Sequence, residues 1–232
     1  MLCYAIRHAE STMNANLGGG VNPDLTPLGQ RQSEALAERL SGARLCAIYS
    51  SPYRRAVRTA APLARRTGLP ILLRHELCEF NPPGWRELQT FVPPTLEQVS
   101  AMCDAAARDP EDDGQVAWPP ITEALQDVIA RTRRFVHVVK QRWTGMDDAI
   151  VAFGHGLPVA RLIDAWLTDS PGPAFRFIMD NAAVSALRYQ DNISSLVCLN
   201  DVSHLVGLPP AAASNFSADY KFVKAAPPSG YW

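Results

Sequence analysis

Leu2-Cys3-Tyr4-Ala5-Ile6, running into Arg7-His8, is an unbroken apolar stretch of strand length that stops on two polar, cation-forming residues. The residues downstream decide its meaning. Beyond a loop holding Gly18-Gly19-Gly20, Thr26 reads as a helix N-cap with Pro27 in the first helical position. Leu28, Ala35, Leu36 and Leu40 then mark one apolar face. Leu45–Tyr49 reads as a second strand. A second helix is expected from Pro52 to about Arg66, kinked at Pro62 and stopped by Gly68. Ile71–Leu73 makes a third, short strand. Strand, helix, strand, helix, strand predicts an α/β sheet with helices on its faces.

The middle of the chain departs from this rhythm. Phe80–Pro94 carries four prolines and reads as loop. Thr95 and Gln98 fit a capping box opening a short helix, in which Cys103 is expected to lie, and Asp109–Gly114 reads as an acidic turn. Ile121–Trp143 is the most amphipathic helical stretch, with Leu125, Val128, Ile129, Phe135, Val136 and Val139 on its inner face. Ala149–Phe153 is another apolar strand, followed by Gly154-His155-Gly156 and a helix over Pro158–Leu167. Ser185–Tyr189 and Ser194–Leu199 read as two late strands joined at Asp191-Asn192. The expected organisation is one domain over residues 1–208, with a cap insert at about 80–120 and a tail over 209–232.

Composition narrows the function classes. With 232 residues, 47% of them hydrophobic, the chain can bury a sizeable core unaided. Twenty-two basic residues against 23 acids leave a net charge of -1, which offers no general attraction to nucleic acid or to an anionic membrane. No stretch approaches the ~20 apolar residues of a membrane span. No signal peptide is evident at the N-terminus. Five cysteines, an odd number with no CxxC pair, suit reduced thiols in the cytoplasm.

The informative residues stand where strands end, since ligands of open α/β sheets bind beyond the carboxyl ends of the strands. The first strand delivers Arg7 and His8, the second Ser50 and Ser51 with Arg54 and Arg55 just beyond, the third leads to Glu79, and Ala149–Phe153 delivers His155. Two histidines, arginines and one carboxylate on one sheet edge suit a dianionic phosphoryl group. Nearby positive charge would also keep an imidazole neutral and nucleophilic.

Arg7-His8-Ala9-Glu10 with Asn14, Leu25-Thr26-Pro27-Leu28-Gly29 and Ser50-Ser51-Pro52-Tyr53-Arg54-Arg55-Ala56 with Thr59-Ala60 occur in order. Leu77-Cys78-Glu79, Gly154-His155-Gly156 and Asn200-Asp201-Val202-Ser203-His204-Leu205 come after them. This ordered set resembles the histidine phosphatase superfamily, in its phosphoglycerate-mutase-like branch, from Met1 to about Leu205. One position departs from the family pattern: Ala9 stands where glycine is usual. The resemblance implies a three-layer α/β/α sandwich with a mostly parallel central sheet, and a helical or loop insert capping the active site. It implies that His8 is the phosphorylated nucleophile and that Arg7, Arg55 and His155, beside Gly156, hold the phosphoryl group. Asn14 would assist the pocket, and Glu79 would be the general acid and base. No cofactor or metal is implied.

The implied activity is hydrolysis of a small phosphorylated metabolite. The alternatives are mutase-type phosphoryl transfer and a non-catalytic phosphate-binding scaffold. From Phe80 to Pro120, Arg86 and Arg108 face seven acids, a balance of -5, which suits a phosphatase better than a mutase holding a bisphosphorylated cofactor. A two-histidine, one-carboxylate metal site at His8, His155 and Glu79 is disfavoured by the adjacent arginines. Arg54 turns about 100° from Arg55 on a helix, so only one of the two should face the pocket; the resemblance selects Arg55 and implies that Arg54 is a solvated charge. His75, His137 and His204 are expected to be structural. Glu79 is preferred to Glu76 and Glu87. Trp85, Phe80 and Phe91 are candidates for an apolar lid wall or for packing beneath the insert, the second reading being preferred for any one of them. The tail aromatics Phe216, Tyr220, Phe222, Tyr231 and Trp232 are expected to dock on the domain or on a neighbouring subunit, and a homo-oligomer is compatible with the sequence.

Overall fold

A computed structural model of the chain describes residues 1–84, 88, 90–110, 122–169 and 177–211. Among these, seven strands form one sheet in the order β4-β3-β2-β5-β1-β6-β7. They are β1 (Leu2–Arg7), β2 (Leu45–Ser50), β3 (Ile71–Leu73), β4 (Ala106–Arg108), β5 (Ala149–Gly154), β6 (Val184–Gln190) and β7 (Ile193–Asp201). The first five pair in parallel, and β6 and β7 close one side as an antiparallel pair.

Period-2 alternation along the central strands splits the core in two. Ile6, Ile48, Val151 and Phe153 face helices α1 (Pro27–Ser41) and α2 (Arg54–Thr67), meeting Leu36, Leu40, Val57 and Leu63. Their neighbours Ala5, Tyr49, Ile150 and Ala152 face α4 (Leu125–Arg142) and α5 (Gly156–Leu167), meeting Phe135, Val139, Leu162 and Trp166. The result is the expected three-layer sandwich with a mostly parallel sheet.

Local signals act largely as expected. The Thr26 side chain accepts from the Gly29 amide at 3.0 Å, with Pro27 opening α1. Gly68 ends α2 in the left-handed conformation, at φ 73°. The Thr95–Gln98 capping box opens the short helix α3 (Leu96–Ser100). Asp191 and Asn192 both have positive φ, 52° and 61°, the two-residue turn that matches the twist of a hairpin.

Four expectations need correction. The second helix begins at Arg54, two residues after Pro52, because Tyr53 is still extended at φ −62° and ψ 137°. Cys103 stands in a turn after α3 (Leu96–Ser100) instead of lying within it, and Cys78 follows a 3-10 turn (His75–Leu77). Ala106–Arg108 is a strand that composition did not announce, since Ala-Ala-Arg lacks β propensity and pairs only because β3 presents an open edge. Asp109 is fully buried against Arg74 rather than set in a solvated acidic turn, and the rest of that proposed turn lies outside the described residues.

One glycine in α1 is a packing requirement. A β-carbon on Gly29 would collide with the Glu10 carbonyl oxygen, so the helix approaches the segment after β1 at backbone distance. Gln32 from the same helix accepts from the Glu10 amide at 2.9 Å. Thr26 donates to the Glu10 carboxylate at 2.7 Å. The loop that leaves β1 is thereby moored to α1.

Candidate active site

Register decides which side chains meet. β1 and β5 are adjacent and parallel with Arg7 opposite Gly154, so His8 and His155 leave the sheet side by side. Their ring centroids are 5.2 Å apart at an interplanar angle of 61°. β2 flanks β5 on its other side with Ser50 opposite Phe153, which sets Ser51 beside His155 and carries the chain into Tyr53 and the first turn of α2. The 3-10 turn His75–Leu77 then brings Glu79 across the opening.

His8 is 2% exposed, and its hydrogen bonds settle its tautomer. Nδ1 lies 2.7 Å from the Ala9 carbonyl oxygen, which can only accept, so Nδ1 carries the proton. Nε2 therefore holds the lone pair, and Arg55 Nε donates to it at 3.1 Å. Burial, followed by the charges of Arg55 and Arg7, lowers the His8 pKa well below the ordinary imidazole value. Buried and flanked by guanidinium groups, the ring stays neutral with its lone pair aimed at the arginines.

His155 is fully buried and also holds its pKa well below the ordinary value, first through burial and then through Arg55 and other nearby cations. Its Nε2 is 2.8 Å from Ser51 Oγ. Its buried Nδ1 has no hydrogen-bond partner and faces Glu79 Oε2 at 3.5 Å. Glu79 Oε2 also lies 3.5 Å from Arg55 Nη2, with the carboxylate partly open to solvent. Arg7 donates from Nη1 to the Met179 carbonyl at 2.6 Å while its buried Nε is left unpartnered. Gly156 opens α5 next to this guanidinium, whose Nε would be 3.8 Å from an added β-carbon. The unpartnered Arg7 Nε–H, buried beside the head of a helix, is a donor placed to meet an oxyanion.

Asn14 has a more local bearing than a pocket ligand. Its Oδ1 accepts from the Ser11 amide, the Ser11 hydroxyl and Asn181 Nδ2, so only its own N–H groups remain to offer. Three residues to which sequence reading gave no role hold His8, Arg55 and His155 in place. Asn181 Nδ2 donates to the His8 carbonyl at 2.9 Å. Thr59 Oγ1 accepts from the Ala9 amide at 3.0 Å and donates to the Arg55 carbonyl at 2.6 Å, coupling the two flanks of the pocket. Ser51 orients His155. The Ala9 methyl is fully buried in an apolar cluster with Leu25 and Ala182, so alanine is accommodated there by packing.

Arg55 is 3% exposed and meets His8 and Glu79, whereas Arg54 is half-buried and its amide donates to Asn22 Oδ1 at 2.8 Å. Glu76 is committed to Arg74, with Nε–Oε2 at 3.0 Å. His75 packs beside Glu76, His137 is exposed on α4, and His204 bonds Arg39 at 3.1 Å, all away from the pocket. Phe91 stacks on Tyr53 with ring centroids 6.2 Å apart. Trp85, Arg86, Glu87 and the tail aromatics lie outside the described residues. His8, Glu79 and His155 each offer an atom within 4.8 Å of the others, close enough to hold a metal ion. The Arg55 guanidinium contacts both His8 and Glu79, and this opposes a cation there.

An α/β sandwich with a neutral imidazole, arginines and a carboxylate at its parallel strand ends is the frame of a phosphomonoesterase. The chain belongs to the histidine phosphatase superfamily (branch 1), whose family model matches residues 3–202. It is 28% identical over 203 residues to phosphoserine phosphatase 1 of Hydrogenobacter thermophilus, covering 86% of this chain and 92% of that one. It is 31% identical over 170 residues to the glucosyl-3-phosphoglycerate phosphatase of Mycolicibacterium vanbaalenii, covering 70% and 72%. Among solved structures, a mycobacterial glucosyl-3-phosphoglycerate phosphatase complexed with VO3 superposes with a TM-score of 0.61. It is 28% identical and covers 86% of this chain and 98% of that one. The protein is thus a phosphoric monoester hydrolase. No helix among the described residues is long and apolar enough to cross a membrane.

Proposed function

We propose that hydrolysis passes through a phosphohistidine on His8. The observation that carries this is the His8 ring itself: buried, neutral, protonated at Nδ1, with the Nε2 lone pair facing Arg55. An incoming phosphate monoester takes the guanidinium N–H groups of Arg7 and Arg55 and the unpartnered nitrogen of His155. The Nε2 lone pair attacks phosphorus as the bond to the ester oxygen breaks. That oxygen leaves with the electron pair and takes a proton from the Glu79 carboxyl. Water then gives a proton to the Glu79 carboxylate while its oxygen attacks phosphorus. The P–N bond breaks, the pair returns to Nε2, and the products are an alcohol and inorganic phosphate. Charge neutralisation by fixed donors supplies most of the acceleration.

The acidic balance of residues 80–120 favours hydrolysis over mutase-type transfer, because a bisphosphorylated cofactor would meet repulsion there. The same segment is the proposed cap, and Phe91 stacked on Tyr53 gives it an apolar wall beside the leaving group. The relatives named above are phosphatases of phosphoserine and of glucosyl-3-phosphoglycerate, which supports a small phosphorylated metabolite as the substrate. Five free thiols, two of them buried, suit the reducing cytoplasm.

The deciding experiment is acid quench during turnover of a labelled phosphate ester. Acid-labile, alkali-stable label should appear on the wild-type chain and be absent from His8→Ala, whose hydrolysis should fall to near zero. Full activity in His8→Ala would remove both the intermediate and the nucleophile.

A further inference from the structure

A second buried charged assembly stands directly behind Glu79. Arg131, in the middle of α4, is 3% exposed and forks onto Glu123, with Nε–Oε2 at 2.9 Å and Nη2–Oε1 at 2.6 Å. Its Nη1 donates to the Glu76 carbonyl at 2.5 Å, and its Nη2 lies 3.4 Å from the Glu79 carbonyl. One guanidinium therefore grips the backbone on both sides of Leu77-Cys78, the step that delivers the Glu79 carboxylate.

The grip is closed from the other side. The Glu123 amide donates to the Asn81 carbonyl at 3.0 Å, and Asn81 Nδ2 donates to Tyr53 Oη at 2.9 Å. Tyr53 in turn sets its ring edge-on to His155 at 5.1 Å, with Arg55 4.8 Å from its centroid. Residue 79 is thus bracketed by a path from α4 through Glu123 and Tyr53 to the phosphoryl pocket.

Stability does not account for such a pair. Replacing a buried ion pair with packed apolar side chains is often neutral or stabilising, because desolvation offsets the Coulomb attraction. What a rigid planar fork supplies, and leucine does not, is a fixed direction for several N–H groups at once. Proton transfer to a leaving oxygen needs that fixity.

We infer that Arg131, locked by Glu123, is a positioning residue that holds Glu79 in register with the leaving-group oxygen. It touches neither substrate nor the reacting atoms. The inference rests on Glu79 being the general acid.

Leaving-group dependence tests it. A nitrophenolate departs without a proton, whereas an alkoxide needs one. The kcat/KM for p-nitrophenyl phosphate and for glycerol 2-phosphate, which reports the step in which the alcohol departs and excludes the shared hydrolysis of the phosphohistidine, should be compared in the wild-type chain, Arg131→Lys, Glu123→Gln and Glu79→Gln. Inhibition by inorganic phosphate reports whether the anion pocket is intact. Arg131→Lys and Glu123→Gln should lose about tenfold or more on the glycerol ester relative to the nitrophenyl ester, with phosphate inhibition unchanged. Glu79→Gln should show the same selectivity, more strongly. If Glu79→Gln is selective but the two supporting variants slow both esters equally, the positioning role is overturned. If Glu79→Gln itself slows both equally, the acid assignment fails and takes the inference with it. Should Arg131→Lys not fold, Glu123→Gln still decides, since it keeps the shape of the fork's partner.

Discussion

His8 and His155 are kept neutral by their surroundings, and that makes the protein acid-sensitive in a defined way. Each imidazole titrates near ~6.5 in the unfolded chain but well below that when folded. Between those values the unfolded state binds more protons, so stability falls as pH drops below about 6.5 and is level above it. Urea midpoints between pH 5 and 8 should show this fall, and His155→Gln should flatten it. Arg55→Ala should cost about 100-fold or more in kcat/KM, because it removes the donor facing His8, while Arg54→Ala should stay within about threefold. Because Arg55 occupies the space between His8 and Glu79, chelators should leave the rate unchanged. A loss restored by one divalent ion would favour the metal arrangement instead. Strand-end position pointed to Arg7, His8, Ser51 and His155 and to the Arg54–Arg55 pair, from which the family pattern selected Arg55. The partners of Ser51, Thr59 and Asn181 could not be read this way, since they stand 104, 50 and 173 positions distant, and local pattern carries no trace of such pairs.

Helix and turn chemistry was the most legible part of the elements. Thr26-Pro27, Thr95 with Gln98, Gly68 and Asp191-Asn192 each do locally what their side chains dictate. Elements that exist only through their neighbours were not legible. β4 is a strand because β3 offers an edge, and Asp109 is buried because Arg74 reaches it at 3.1 Å. Gly29 is the sharpest case of a neighbour's demand. Gly29→Ala must push α1 away from Glu10 and should destabilise the fold by about 1–3 kcal/mol, read from urea unfolding, although alanine is the better helix former. Because Glu10 follows His8 so closely, the variant should also lose activity at temperatures where it remains folded. Asn192→Val, placing a β-branched residue at φ 61°, should weaken the β6–β7 hairpin by about 1–2 kcal/mol and leave catalysis intact.

At the scale of the whole molecule, the alternation of elements was enough to anticipate a parallel sheet covered on both faces. The strand order was not, because it depends on pairings between distant segments. β1 and β2 follow one another in the chain yet do not touch, for β5 lies between them. The order matters for chemistry, since it sets Arg7 against Gly154 and so joins the two histidines. It should also make truncation informative. A chain ending at Leu208 keeps every described strand and should hydrolyse p-nitrophenyl phosphate at the full rate, with any change confined to stability or assembly.

The place reserved for β5 has a further consequence during synthesis on the ribosome. Residue 2 pairs with residue 149 on one side and residue 188 on the other, so β1 has neither sheet neighbour until β5 has emerged. Until then Ile6, Ile48 and the other inward side chains of β1 and β2 border an empty slot in the sheet. Late closure of such a slot is slow, because the entropy of a long loop must be lost before any contact repays it. The nascent chain should therefore engage hydrophobe-binding chaperones until β5 arrives, and release them as the two histidines come together. Folding and the assembly of the phosphoryl pocket are then a single late event.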